Sequence, residues 1–264
     1  MAKAAKKEPR LDKKSLHYNN IYAIPESAAN SIINAYAIPY AIALKASPIE
    51  IGLLSSVRNI AGTFAQVPGA LLTEYFSRKS IWVTSMLIAR LFWLPVVIMA
   101  LLNTGNITTF IVFMAFFSFF LALNSPSWAS MMGDMVPDDV RGRYFGKRNM
   151  LAGLSGMVAT FTAGIMLAYG FAPIFALSFI LSIIAIIIFT KIKEPRTKVV
   201  YHYRHSFTIN LEELRDTFET NRNLVYFTIF ISMMYFAVHV AGPFFVVYML
   251  EDLAIGYVWF GIIV

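Results

Sequence analysis

Apolar residues in this 264-residue chain fall into long blocks, and most of the charged residues lie between the blocks. A helix needs about 20 mainly apolar residues to cross about 30 Å of hydrocarbon. Seven blocks meet that length: 20–44, 50–73, 80–102, 107–133, 147–168, 171–190 and 224–249. An eighth begins near Ile255 and reaches Val264 after ten residues. At 1.5 Å per residue those ten cover about 15 Å, half the bilayer. The pattern predicts an all-α membrane protein of seven full transmembrane helices and a truncated eighth.

The connections alternate in character. The turns at 46–50, 103–106 and 169–173 are almost free of basic residues. The opposite side carries the tail at 1–18 and the connections at 78–79, 141–148 and 191–222. All but three of the 22 lysines and arginines lie there, the exceptions being Lys45, Arg58 and Arg90. The positive-inside rule then places the N-terminus and these loops in the cytoplasm of a multi-pass plasma-membrane protein. The same distribution accounts for the net charge of +7 and argues against nucleic-acid binding. Hydrophobic residues make up 58% and charged residues 14%, against about 25% charged in a soluble domain. With no cysteine, disulfides, thiolate metal sites and cysteine nucleophiles are excluded. The organisation expected is a basic tail (1–18), a six-helix bundle (19–192), a cytoplasmic linker (193–222) and the start of a second bundle (223–264). In the linker, Asn210 and Glu213 fit a capping box, and Leu211, Leu214 and Phe218 share a face, predicting a short amphipathic helix.

The first and seventh blocks superpose at an offset of 204 residues, with Pro39 on Pro243, Ile51 on Ile255, Gly52 on Gly256 and Tyr40 opposite Phe244. A six-helix parallel repeat is one of the two repeat types of secondary transporters. The segment Asp134-Met-Val-Pro137-Asp-Asp-Val-Arg141-Gly142-Arg143, running on to Phe145-Gly146, resembles the loop between the fourth and fifth helices of the major facilitator superfamily. Gly69-Ala-Leu-Leu-Thr-Glu74-Tyr-Phe-Ser77-Arg78-Lys79 resembles that superfamily's second-to-third loop, with Ser77 where glycine is usual. Lys193-Glu194-Pro195 after the sixth block also suits it. The resemblance implies a cytoplasmic gate built from Glu74, Arg78, Lys79, Asp134, Arg141 and Arg143. Acid–guanidinium bonds there would lock helices when the inner gate is shut; fixing topology is the alternative role for the basic residues.

Ionisable residues inside a span are costly and point to function. Glu26 shares a helical stripe with Asn30 and Asn34, which the resemblance puts on the central cavity. Arg58 shares one with Gly62 and Gln66, and Arg90 lies about 15 Å into the third span. A Glu26–Arg pair is either a proton-coupling device or a static tie between helices. His239 reads as a structural histidine. Pro126 predicts a kink, with Asn124 and Trp128 as candidate cavity contacts. Gly146, Gly153, Gly156, Thr160 and Gly164 read as a packing ridge.

Catalysis has no support. There is no HExxH and no P-loop, and Gly153-Leu-Ser155-Gly156-Met157 misses the nucleophile elbow; no cofactor is implied. The function expected is secondary active transport of an unidentified small solute by alternating access, with protons as a candidate coupling ion. Subgroup marks of sugar porters and drug–proton antiporters are missing. The alternatives are a truncated, non-transporting fragment or one half of a split transporter with a missing C-terminal half, and, third, a channel. The partners expected are the solute, the lipid bilayer and protons.

Overall fold

A computed structural model describes residues 12–194 and 218–263. Among them no strand occurs: the chain runs as helices joined by short turns. Helix α1 (Lys13–Ala43) starts at Asp12, whose carboxylate accepts from the backbone N–H of Lys14 and Ser15 and, at 2.7 Å, from the Ser15 hydroxyl. That hydroxyl bond leads the effects holding the Asp12 pKa below its usual range. Helix α2 (Pro48–Tyr75) opens with a capping box between Ser47 and Glu50 and a proline in its first turn. Helix α3 (Arg78–Leu102) is capped by Ser77 and stops at Asn103, in the left-handed region at φ 51°. Then follow α4 (Ile107–Leu123), α5 (Ser125–Met135), α6 (Asp138–Met166), a 3₁₀ turn (Leu167–Tyr169) and α7 (Phe171–Phe189). Gly170 joins the last two at φ 93°, which a side chain would strain. Beyond the second described boundary lie α8 (Arg222–Val247), a π turn (Tyr248–Asp252) and α9 (Tyr257–Ile263).

The fourth apolar block is two helices, broken at Asn124. Pro126 has no N–H for the Ala122 carbonyl one turn back, and the Asn124 backbone N–H bonds that carbonyl instead. The predicted kink is therefore a break. Helix α6 starts nine residues before the predicted fifth span, so the acidic-proline loop shrinks to a turn around Val136 and Pro137. Asp138 and Asp139 sit in the first turn of α6, where carboxylates favour a helix start. Most of the linker helix expected at 210–218, up to residue 217, and the first eleven residues of the tail lie outside the described residues.

Helix α1 packs on α6 and α7, α2 on α4, and α3 on α4 and α7. Water does not drive helices together inside lipid, so close packing and buried hydrogen bonds must. At one end Tyr40 meets Phe110, Phe171 and Phe175 at ring distances of 5.1–5.2 Å. At the other, Trp82 stacks on Phe189 at 3.6 Å, with Tyr22 edge-on to both. Between them the Trp93 indole N–H donates to Ser178 at 3.0 Å. The outer face of α3 presents Leu87, Leu91, Leu94, Ile98 and Leu101, all exposed, at the spacing of one helical stripe. Such a stripe suits acyl chains. Helix α8 buries none of its residues, whereas α9 docks on α6 with Phe260 buried beside Tyr36.

Among the described residues, five segments are long and apolar enough to cross a membrane: Arg78–Leu102, Ile107–Met135, Asp138–Tyr169, Phe171–Phe189 and Arg222–Asp252. The predicted count of seven and a partial eighth is not reached. Helices α1 and α2, at 31 and 28 residues, have the length. They fall short in apolarity because polar residues such as Glu26, Asn30, Asn34, Arg58, Asn59 and Gln66 run along them. Helix α9, at seven residues, is too short.

Candidate functional site

Polar side chains gather at three depths. The first group bridges α1 and α3. Glu26 accepts from the Asn30 amide at 2.8 Å and pairs with the Arg90 guanidinium at 3.4 Å. The side chains of Arg90 and Glu26 are only 2% and 12% exposed. Phe117 lies under the guanidinium at 5.2 Å. Glu26 Oε2, Asn30 Oδ1 and Arg90 Nε and Nη1 are buried without a hydrogen-bond partner. The i, i+4 spacing made the Glu26–Asn30 bond legible. The partner arginine is Arg90, twelve residues from either end of α3 and about 18 Å deep.

The second group surrounds a cavity of about 370 Å³. Asn34 of α1, Ser55, Arg58 and Asn59 of α2, Ser118 of α4 and His239 of α8 line it. Arg58 lies about 15 Å from the start of α2, and its Nη2 donates to Asn34 Oδ1 at 2.6 Å. Arg58 Nε is buried and unpaired. His239 Nδ1 lies 2.9 Å from the Tyr235 carbonyl; a carbonyl only accepts, so that nitrogen carries the proton. A neighbouring cavity of about 280 Å³ shares Ser55, Asn59 and His239. A third, of about 400 Å³, lies between α1 and α6, with Ser31, Asn34, Gly156 and Thr160 on its wall. Asn34 thus borders two cavities.

Other predicted contacts sit elsewhere. Gln66 is exposed on α2 and lines none of the three cavities. Asn124 is buried, its amide donating to the Leu121 carbonyl at 2.7 Å and to Met86 Sδ at 3.1 Å. Trp128 lies under the Arg148 guanidinium at 4.6 Å, with Phe145 edge-on at 6.0 Å. Arg148 also donates to the Tyr22 hydroxyl at 3.2 Å. Of the glycine ridge, Gly156 is in tight contact: a Cβ there would stand 2.5 Å from Ser31 Oγ, whereas one at Gly146 or Gly153 would meet open space.

The third group closes the end of the bundle where α2 and α3 join. Arg78 Nη1 donates to Asp134 at 2.6 Å and to Ser130 at 3.0 Å, and its Nε donates to Glu194 at 3.2 Å. Glu194 further accepts from the backbone N–H groups of Arg78 and Lys79, completing the cap on α3. Lys79 Nζ donates to the Thr190 carbonyl at 2.5 Å. Arg141 pairs within its own helix, with Asp138 at 2.7 Å, and reaches the Val136 carbonyl at 3.2 Å. Glu74 and Arg143 are exposed and form no ion pair among the described residues. Sequence reasoning missed Glu194 as a ligand of Arg78; its place directly after an apolar block, beside a proline, was the available signal.

A sequence model described as Major Facilitator Superfamily matches residues 23–264. No significant match occurs among curated proteins. In fold the chain is similar to a solved bacterial homolog of the human lysosomal transporter Spinster, in an inward-facing and unoccupied conformation. The TM-score is 0.63 at 14% identity, covering 98% of this chain and 59% of the other. This chain therefore spans about three fifths of that protein's length.

Proposed function

The chain belongs to the major facilitator superfamily of multi-pass membrane transporters, not enzymes, and we propose that it carries a small solute by alternating access. The carrying observation is the cavity of about 370 Å³, walled by α1, α2 and α4 on one side and by α8 on the other. In transporters built from parallel repeats, solute sites lie near the bilayer midplane at the repeat interface. On this reading α1 and α2 also cross the membrane, and their polar stripes face the path rather than lipid. With α8 and the start of the next helix, that restores seven spans and part of an eighth. The basic connections support a cytoplasmic N-terminus, and the plasma membrane is the proposed location.

Arg78, Asp134 and Glu194 tie α3, α5 and the segment after α7 together, so the cytoplasmic end of the first bundle moves as one body. Lys79 and Arg141 support it through backbone carbonyls, and Glu74 and Arg143 face the surface, where a second bundle can meet them. Glu26 is the proposed proton carrier. Its bond to Arg90 is long for an ion pair, and its second oxygen is unpaired, so a modest helix movement changes its surroundings. Asn30 and Asn34 continue the path toward Arg58.

The chain spans three fifths of its structural neighbour, so a complete second bundle is proposed as the partner that makes transport possible. Proteoliposomes loaded with a pH-sensitive dye test both points. A solute panel is applied to the 264-residue chain alone and to the chain joined with a second six-helix half. Solute-driven proton movement is expected from the joined form and abolished by Glu26→Gln. Movement by the chain alone would overturn the need for a second half, and flux insensitive to Glu26→Gln would remove Glu26 from coupling.

A further inference from the structure

Two arginines lie deep in the helices, and their surroundings differ in one respect. Arg90 has a carboxylate: Glu26 balances its charge. Arg58 has none among the described residues. Its hydrogen bond goes to the neutral Asn34 amide, and Nε is buried with no partner. None of the three cavities has an aspartate or glutamate on its wall. Glu26 is two turns along α1 from Asn34, about 12 Å, and already holds Arg90. Among the described residues, the cavity around Arg58 therefore carries an unbalanced positive charge. Guanidinium keeps its proton at any physiological pH, and a half-buried charge with no carboxylate beside it attracts an anion into the cavity it lines.

Resting on the transport reading, we propose that this cavity binds a small organic anion, its carboxylate or phosphate group received by Arg58. The planar guanidinium presents paired donors that match either oxyanion. Ser55, Asn59 and Ser118 add hydroxyl and amide donors on the same wall, and the apolar Ile38, Val238 and Pro243 leave room for a carbon skeleton. A volume of about 370 Å³ falls at the small end of the usual range of ligand pockets, roughly 300–1,000 Å³. It suits a metabolite rather than a lipid or a bare inorganic ion. A cation would be repelled by Arg58, and a neutral solute would leave its charge unanswered.

The test uses the purified 264-residue chain in detergent with matched pairs of probes: succinate against succinamide, and glucose 6-phosphate against glucose. At least one anion should raise the melting temperature where its neutral counterpart does not, and the responding pair separates carboxylate from phosphate. Arg58→Gln should weaken that binding about a hundredfold, the scale of removing one member of a buried charge pair, while Arg58→Lys should weaken it less. Protection of wild-type Arg58 from phenylglyoxal, read by mass spectrometry, gives the answer without a variant. Slower modification with the anion than with its neutral counterpart supports the proposal. Equal effects of anion and neutral probe, an anion effect surviving in Arg58→Gln, or no shift with any anion would overturn it. Proton flux driven by a neutral solute would sink the anion while sparing the transport reading; anion binding with no flux in the joined form would do the reverse.

Discussion

Replacing Glu26 by glutamine keeps the side chain's shape and one acceptor but removes its charge. Arg90 then stands at 2% side-chain exposure between α1 and Phe117 with nothing to balance it, and it cannot shed its proton. At the observed 3.4 Å and an effective dielectric of 20, the attraction between unit charges is about 5 kcal/mol. Part of this is already offset by the desolvation of both groups, so Glu26→Gln should cost about 3 kcal/mol and Arg90→Gln a similar amount. The double variant, with two neutral amides facing each other, should lie within about 1–2 kcal/mol of wild type. The assay is equilibrium unfolding in mixed micelles by titrating denaturing detergent, followed by tryptophan fluorescence, since Trp93 is buried one turn from Arg90. The quantity decided is the coupling energy, the singles' sum less the double, expected at about 4–5 kcal/mol. A double variant as unstable as the sum of the two singles would refute the reasoning and leave the pair as neighbours without mutual dependence.

Gly156→Ala should destabilise the α1–α6 contact by about 1–3 kcal/mol, because the new methyl meets Ser31 Oγ at 2.5 Å. Gly153→Ala, into open space, should be neutral or stabilising by up to about 1 kcal/mol; thermal shift of the two variants side by side is the check. Arg78→Ala should cost about 2 kcal/mol, the partners being 40% and 23% exposed, whereas Arg141→Ala, 45% exposed and paired within one helix turn, should change the melting temperature little. The Asp12 carboxylate is held below its ordinary pKa, so its support of the start of α1 is present above about pH 4 and is lost as pH falls further. Protection of the Lys14 and Ser15 amides, corrected for the intrinsic exchange rate, should fall over that acid range, and Asp12→Ala should remove this change in protection.

The helices themselves were legible because apolar block length and cap residues are local signals. The Ser47–Glu50 capping box went unread although its signal is local, and Pro126 marked a bend where the helix in fact breaks at Asn124. The superfamily was legible for a different reason: its loop residues fall at fixed topological positions. Partnership across helices was not. Glu26 and Asn30 are one turn apart and visible as a pair, but Arg90 lies 64 residues away, and no spacing chooses it over Arg58. Asn124 and Trp128 share a face by periodicity, yet the helix break and the arrival of Arg148 from α6 decide what each touches. Gly146, Gly153 and Gly156 look alike in sequence, and the path of α1 determines that Gly156 is the close contact. Apolarity also misleads for α1 and α2, since a helix that faces a polar path reads as less of a membrane helix than one that faces lipid.

The pairing of α1 with α6 and α7, rather than with its neighbour α2, bears on how the chain is made. Between the end of α1 at Ala43 and the end of α7 at Phe189, a ribosome adding about 5–20 residues per second works for roughly 7–30 s. Over that interval the helix carrying Glu26 has been made while its packing surfaces follow, α6 first and α7 last. Arg90 is synthesised well before α6 and is the counter-charge Glu26 meets in the folded bundle. The Glu26–Arg90 bond joins α1 to α3, so both of its members exist before α6 and α7 are made.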